Sequence, residues 1–207
     1  LQRVRLVREA VGPDIRLTVD ANGGWSVNEA IRASQRLEEF GVAIVEQPVV
    51  GAFLERLIAR TETLRVGDPR DPKTELGPAI DKRQLETTLG YLQKGQAEGA
   101  RLVHGGERLT EGPHAHGWFS RPAIMTGVAS TSALGQEEVF GPLLGVIEAK
   151  DFSEAVALAN DVRFGLSASI CTQNISRALE YVEKAEAGMI MVNLPSAGVE
   201  YQIPFGG

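Results

Sequence analysis

Cysteine is almost absent. Cys171 is the only one in 207 residues, which excludes an internal disulfide and a zinc cage built on thiolates. Basic excess is lacking too. Lys and Arg number 21 against 27 Asp and Glu, a net charge of −6, so no electrostatic footprint for nucleic acid is expected. No apolar run approaches the roughly 18 residues of a membrane-spanning helix, and no signal-peptide pattern opens the chain; together these point to the cytoplasm. No G-x-G-x-x-G or P-loop pattern occurs, and there is no internal repeat or low-complexity tract. What is plentiful is apolar character, 43% of residues, which can fill a core and argues against disorder. The chain begins at Leu1 inside what reads as a helix over residues 1–10. It stops at Gly206 and Gly207 with no closing element, so both ends are expected to be cuts in something longer.

The pattern along the chain is α/β. Residues 15–19 and 42–45 read as buried strands. Between them lies a helix that opens on a capping box, Ser26 with Glu29, and closes at Gly41. Residues 51–66 read as a helix with Phe53, Leu57 and Leu64 along one stripe. Residues 67–74 must be a loop, because two prolines and four charges interrupt them. Asp81 is expected to cap a long helix burying Leu85, Leu89 and Leu92. Residues 100–104 form a strand candidate, and residues 118–125 a second one, placed at a sheet edge because Pro122 breaks it. Strands at 143–149, 166–171 and 189–192 alternate with two helices. Asp151 caps the first, which carries Phe152, Ala155, Val156 and Ala159. Asn174 caps the second, which carries Ile175, Ala178, Leu179, Val182 and Ala185 and stops at Gly188. Such alternation predicts a parallel sheet with right-handed crossovers.

Asp20 and Glu46 each follow the end of a predicted strand. Barrel strands aim such residues into one mouth, and two carboxylates there suit Mg²⁺, a hard ion that prefers oxygen ligands. The alternative is that Asp20 and Asn22 only shape a turn. The residues themselves say more. V-D-A-N-G-G-W (19–25) followed by E-Q-P (46–48) resembles the barrel domain of the enolase superfamily, in its mandelate racemase and muconate-lactonizing group. The resemblance covers residues 1–49 and implies a βαβ piece of a TIM-like barrel. It implies Asp20 and Glu46 as two of three Mg²⁺ ligands, with Asn22 beside them, and proton abstraction from a sugar acid as the reaction. The third carboxylate, the lysine base and the opposing acid/base are missing from the match. Asp68 stands at a tempting distance for the third ligand, in surroundings that match a different family.

That second family accounts for residues 51–207. The stretches F-L-E-R-L, L-R-V-G-D-P, E-L-G-P, E-G-A-R-L-V-H-G-G, E-E-V-F-G-P, L-A-N-D, F-G-L-S-A-S-I and P-F-G-G occur in order. They resemble the C-terminal part of the aldehyde dehydrogenase catalytic domain. The ending N-L-P-S-A-G-V-E-Y-Q-I-P-F-G-G looks most like enzymes that oxidise α-ketoglutarate semialdehyde. Ala123 departs from the usual Thr after the strand's Pro. The resemblance implies NAD or NADP as cofactor, with Glu138 accepting hydrogen bonds from the nicotinamide ribose and Phe140 packing by the nicotinamide. Without it, Glu138 reads as an exposed loop residue and Phe140 as part of the core.

Aldehyde oxidation of this kind needs a thiolate nucleophile and a carboxylate that activates water. In the family both precede F-L-E-R-L, where this chain has the barrel-type segment, so no catalytic residue is assigned and the chain is expected to be inactive alone. Cys171 lies among Leu166, Ala168 and Ile170 with no basic neighbour, as inert cysteines do. His114 and His116 could hold a metal on a strand edge or simply sit in a solvated loop. Three readings follow: a dehydrogenase fragment fused near Pro48 to a barrel piece, an Mg²⁺-dependent sugar-acid enzyme remnant, or a non-catalytic chain that forms a homo-oligomer or docks on a full-length dehydrogenase.

Overall fold

The computed structural model describes residues 42–46, 50–194 and 196. The expectations for residues 1–41, including the capping box and Asp20, fall outside them. The described residues divide into two compact units, one made of 42–44 and 57–148, the other of 45–46, 50–56 and the stretch from 149 onward.

A four-stranded sheet holds most of the strand residues of the first unit. Its strands are β1 (Val42–Glu46), β2 (Arg101–His104), β5 (Ala123–Thr126) and β6 (Leu143–Ala149), in the order β1-β6-β5-β2. The sheet is mixed, where a parallel-sheet fold was expected. β5 runs parallel to β6, in register from Ala123 with Leu143 to Thr126 with Val146, whereas β2 pairs antiparallel with β5. The chain between β2 and β5 explains the reversal. It holds only a short hairpin, β3 (Arg108–Leu109) with β4 (Phe119–Ser120), and no full helix that could carry the chain back for a parallel crossover. The register of β2 slips between Leu102 and His104.

Pro122 therefore marks something other than an edge. It separates β4 from β5, which belong to different sheets, so its missing N–H takes no bond from either ladder. β5 lies between β6 and β2 and is buried at all four positions. Against the sheet's apolar residues packs α2 (Lys82–Ala97), preceded in the chain by α1 (Val50–Glu62). Asp81 caps α2 by accepting from the Gln84 amide at 2.8 Å, and Leu85, Thr88, Leu92 and Gly95 are its buried residues. Their spacing of 3, 4 and 3 puts them on one helical stripe.

The second unit contains α4 (Phe152–Asn160), β7 (Ser167–Ile170), α5 (Ile175–Lys184) and β8 (Met189–Val192). β7 and β8 form their own two-stranded parallel sheet with α5 as the connection, so β6 does not share a sheet with them. Asp151 and Asn174 cap α4 and α5 as expected, each accepting from an amide of the first turn. α5 ends at Lys184, ahead of Gly188, whose amide instead donates to the Gly165 carbonyl. Phe152, Val156, Ile170 and Tyr181 form the buried cluster, with Ala168, Ala185, Ile190 and Val192 packed against it. The apolar residues of α5 part company here. Ala178 is buried, but Ile175, Leu179 and Val182 are exposed. No described helix is long and apolar enough to cross a membrane.

Candidate cofactor loop

The stretch E-E-V-F-G-P forms residues 137–142, between the four-residue helix α3 (Ala133–Gln136) and β6. Its two ends are fixed by ordinary chain geometry. The Glu137 amide donates to the Ala133 carbonyl and closes α3, while the Pro142 carbonyl accepts from Ala123 at the start of β5. Between them the side chains alternate in destination. Glu137 turns to α2, where its carboxylate accepts from the Tyr91 hydroxyl at 2.8 Å and lies 3.2 Å from the Lys94 ammonium. Val139 is buried. Glu138 and Phe140 are exposed.

Phe140 is the informative residue. It is 71% exposed and its φ is +55°. That corrects the reading of Phe140 as a core residue. A phenylalanine in the left-handed region is uncommon and costs backbone energy, and such strain persists only where surrounding structure over-determines it. Here the Gln84 side chain donates its amide to both the Val139 and Phe140 carbonyls, at 3.1 and 2.7 Å. Gly141 follows, and a Cβ there would land on the Thr88 side chain of α2, so only glycine lets the loop lie this close to the helix. The result is an exposed carboxylate and an exposed aromatic ring two residues apart on a firmly anchored loop.

The other candidates are placed as follows. Glu46 closes β1, whose backbone alone is described at that residue, and Asp20 lies outside the described residues. Asp68 supplies no third metal ligand. Its carboxylate is gripped by the Arg70 guanidinium through Nε and Nη2, which holds its pKa down at about 2. No group of three or more His, Cys, Asp or Glu suited to a metal ion occurs among the described residues. Cys171 follows directly after β7 instead of sitting within a strand, and burial pushes its thiol up to about 12. His114 is not a solvated loop residue. It lies in a 3-10 turn (Gly112–His114), its Nε2 2.9 Å from the Val66 carbonyl and its ring edge-on to Phe119. His116 is exposed.

Sequence reasoning passed over Gln84, Thr88, Tyr91 and Lys94 as functional residues. The signal was present: polar side chains at 84, 88 and 91 repeat every three or four residues beside the buried leucines of one helix.

Comparison with known proteins adds to this geometry. The model described as "Aldehyde dehydrogenase family" matches residues 31–207. The alpha-ketoglutaric semialdehyde dehydrogenase of Bacillus subtilis strain 168 is 43% identical over 164 residues, which cover 79% of this chain and 34% of that protein. The alpha-ketoglutarate semialdehyde dehydrogenase of Haloferax volcanii is 40% identical over 204 residues, 98% of this chain and 40% of its own. Among solved structures, betaine aldehyde dehydrogenase of Staphylococcus aureus in complex with NAD+ superimposes with a TM-score of 0.81 at 27% identity, over 87% of this chain and 36% of that one. The chain thus spans 34–40% of the two curated relatives' length. The family match begins well ahead of the junction expected near Pro48, and β1, expected in the barrel-type segment, lies in one sheet with β6, β5 and β2. No closed barrel occurs among the described residues.

Proposed function

The chain belongs to the aldehyde dehydrogenase family, and from that premise we propose that it carries the nicotinamide end of the cofactor site of an NAD(P)-dependent semialdehyde dehydrogenase. The observation that carries this reading is the 137–142 loop, with Glu138 exposed and Phe140 turned outward by a left-handed backbone. These residues fit the cofactor. An ionised carboxylate only accepts, and its two oxygens can take both ribose hydroxyls, so Glu138 would bind and orient the ribose. Phe140 would lie beside the nicotinamide and exclude water from it. When bound, NAD(P)+ supplies the acceptor for the hydride that leaves the aldehyde carbon. The substrate class is a carboxylate-bearing semialdehyde, a reading supported by the two α-ketoglutarate semialdehyde relatives.

On its own the chain is proposed not to oxidise aldehydes. The chemistry starts with thiolate attack on the carbonyl carbon, and the only thiol, Cys171, keeps its proton to about 12. Purified protein supplied with NAD(P)+ and α-ketoglutarate semialdehyde should form no NAD(P)H above the blank. Clear turnover would refute this.

Docking on a full-length dehydrogenase is the second reading, favoured by the exposed apolar residues Ile175, Leu179 and Val182 of α5. Size-exclusion of a mixture with such an enzyme should show co-elution; separate peaks would count against it. The Mg²⁺ reading of Asp20 and Glu46 rests on its motifs alone. Calorimetric titration of Mg²⁺ into the wild type and Asp20→Asn tests it, and a silent wild type removes it.

A further inference from the structure

The apex of the loop that presents Glu138 and Phe140 is held from outside the loop. A residue with a β-carbon adopts φ near +55° at a cost, and Phe140 recovers little of that cost through packing, because its ring is exposed. The compensating contacts come from one helix far away in sequence. Gln84, Thr88 and Tyr91 sit along α2 at spacings of four and three, which places them one above another on one face. Gln84 binds the two carbonyls at the apex of the turn. Thr88 fills the space where a side chain at 141 would lie, and its own hydroxyl is fixed by donation to the Gln84 carbonyl at 3.1 Å. Tyr91, with Lys94, holds the carboxylate of Glu137 at the loop's start. Gln84 is itself placed by the helix cap, since its amide is the group that Asp81 accepts.

We propose that Gln84 is a positioning residue: by donating its amide to the Val139 and Phe140 carbonyls it holds the left-handed turn that directs Phe140 outward beside Glu138. Its functional meaning rests on the cofactor reading above, but its structural claim does not. The amide suits the task because its two N–H groups can serve two acceptors at once. Leucine at 84 fills similar space and donates nothing. Glutamate at 84 sets a charged acceptor against two carbonyl oxygens.

The test measures hydrogen exchange across residues 137–142 in the full chain, together with NMR titration of NAD+ read at the amides of Glu138 and Phe140. Gln84→Leu should speed exchange of the loop amides by about tenfold, the scale set by losing hydrogen bonds at one site, and leave α4 and β7 unchanged. NAD+ binding should weaken by a similar factor. Gln84→Glu is the second variant if the leucine form does not fold, and should loosen the loop at least as much. A third form separates positioning from general support. Glycine adopts positive φ freely, so in a Phe140→Gly background Gln84→Leu should change loop exchange by much less. An equal effect in both backgrounds would overturn the proposal, as would a loop indifferent to Gln84→Leu. If the wild type binds no NAD+ while Gln84→Leu still loosens the loop, the positioning role stands and the cofactor reading falls.

Discussion

Replacing Phe140 by glycine separates a displayed aromatic from a structural one. Phe140 is 71% exposed. Full burial of a phenylalanine is worth about 1.5–3 kcal/mol, so the small covered part contributes about 0.5–1 kcal/mol. Glycine adds about 0.5–1 kcal/mol of unfolded-state freedom to be lost on folding. Against both stands relief of the left-handed backbone at φ +55°, worth about 1–2 kcal/mol. These contributions nearly cancel, and Phe140→Gly is expected to leave stability within about 1 kcal/mol of wild type. Phe140→Ala keeps the strained backbone and loses the ring, so it should fall below the glycine variant despite alanine's lower chain entropy. Urea unfolding followed by circular dichroism measures the midpoint and slope of each variant. NAD+ titration of the same samples should show weakened binding for both. A loss of about 3 kcal/mol or more for Phe140→Gly, the size seen for core aromatics, would refute the reasoning. Unchanged NAD+ affinity would refute the role given to the ring.

Three further outcomes are expected. Thr126 is 1% exposed, and its hydroxyl finds no hydrogen-bond partner among the described residues; Thr126→Val should therefore stabilise the chain by about 1 kcal/mol, and a lower melting temperature would contradict this. Gly141→Ala should destabilise by about 1–3 kcal/mol through overlap with Thr88, visible in the urea midpoint; a neutral result would mean the loop can lift off α2. Cys171 ionises near 9.0 when unfolded but near 12 when folded. Between those values the unfolded state binds fewer protons, so stability falls as pH rises. Cys171→Ala should flatten that alkaline decline. Tyr181, raised from 10.0 to about 12 by burial and then by the nearby Cys171, should retain a part of it. Identical alkaline profiles for variant and wild type would exclude the cysteine's share.

Features decided locally were legible in the sequence. Asp81, Asp151 and Asn174 could be read as caps because each accepts from amides two or three residues ahead. Cys171 could be read as inert from its apolar neighbours. Features decided by distant residues were not legible. Pro122 looked like an edge marker, and its true place between two sheets depends on where β4 and β5 find partners. Phe140 could be core or displayed until Gln84, 56 residues earlier, was seen holding the turn. His114 looked solvated because its acceptor on Val66 lies 48 residues away. Periodicity marked both α2 and α5 as amphipathic. It could not say that Leu85 and Leu92 of α2 would be covered while Ile175, Leu179 and Val182 would stay exposed.

The slipped register of β2 bears on how the protein behaves when crowded. β2 ends the four-stranded sheet and shows Leu102 and Val103 partly to solvent, a combination that invites an incoming strand from another molecule. Such a strand would need an evenly spaced row of amides and carbonyls to zip along. The irregularity between Leu102 and His104 interrupts that spacing. An irregular ladder of this kind disfavours edge-to-edge pairing with a second molecule.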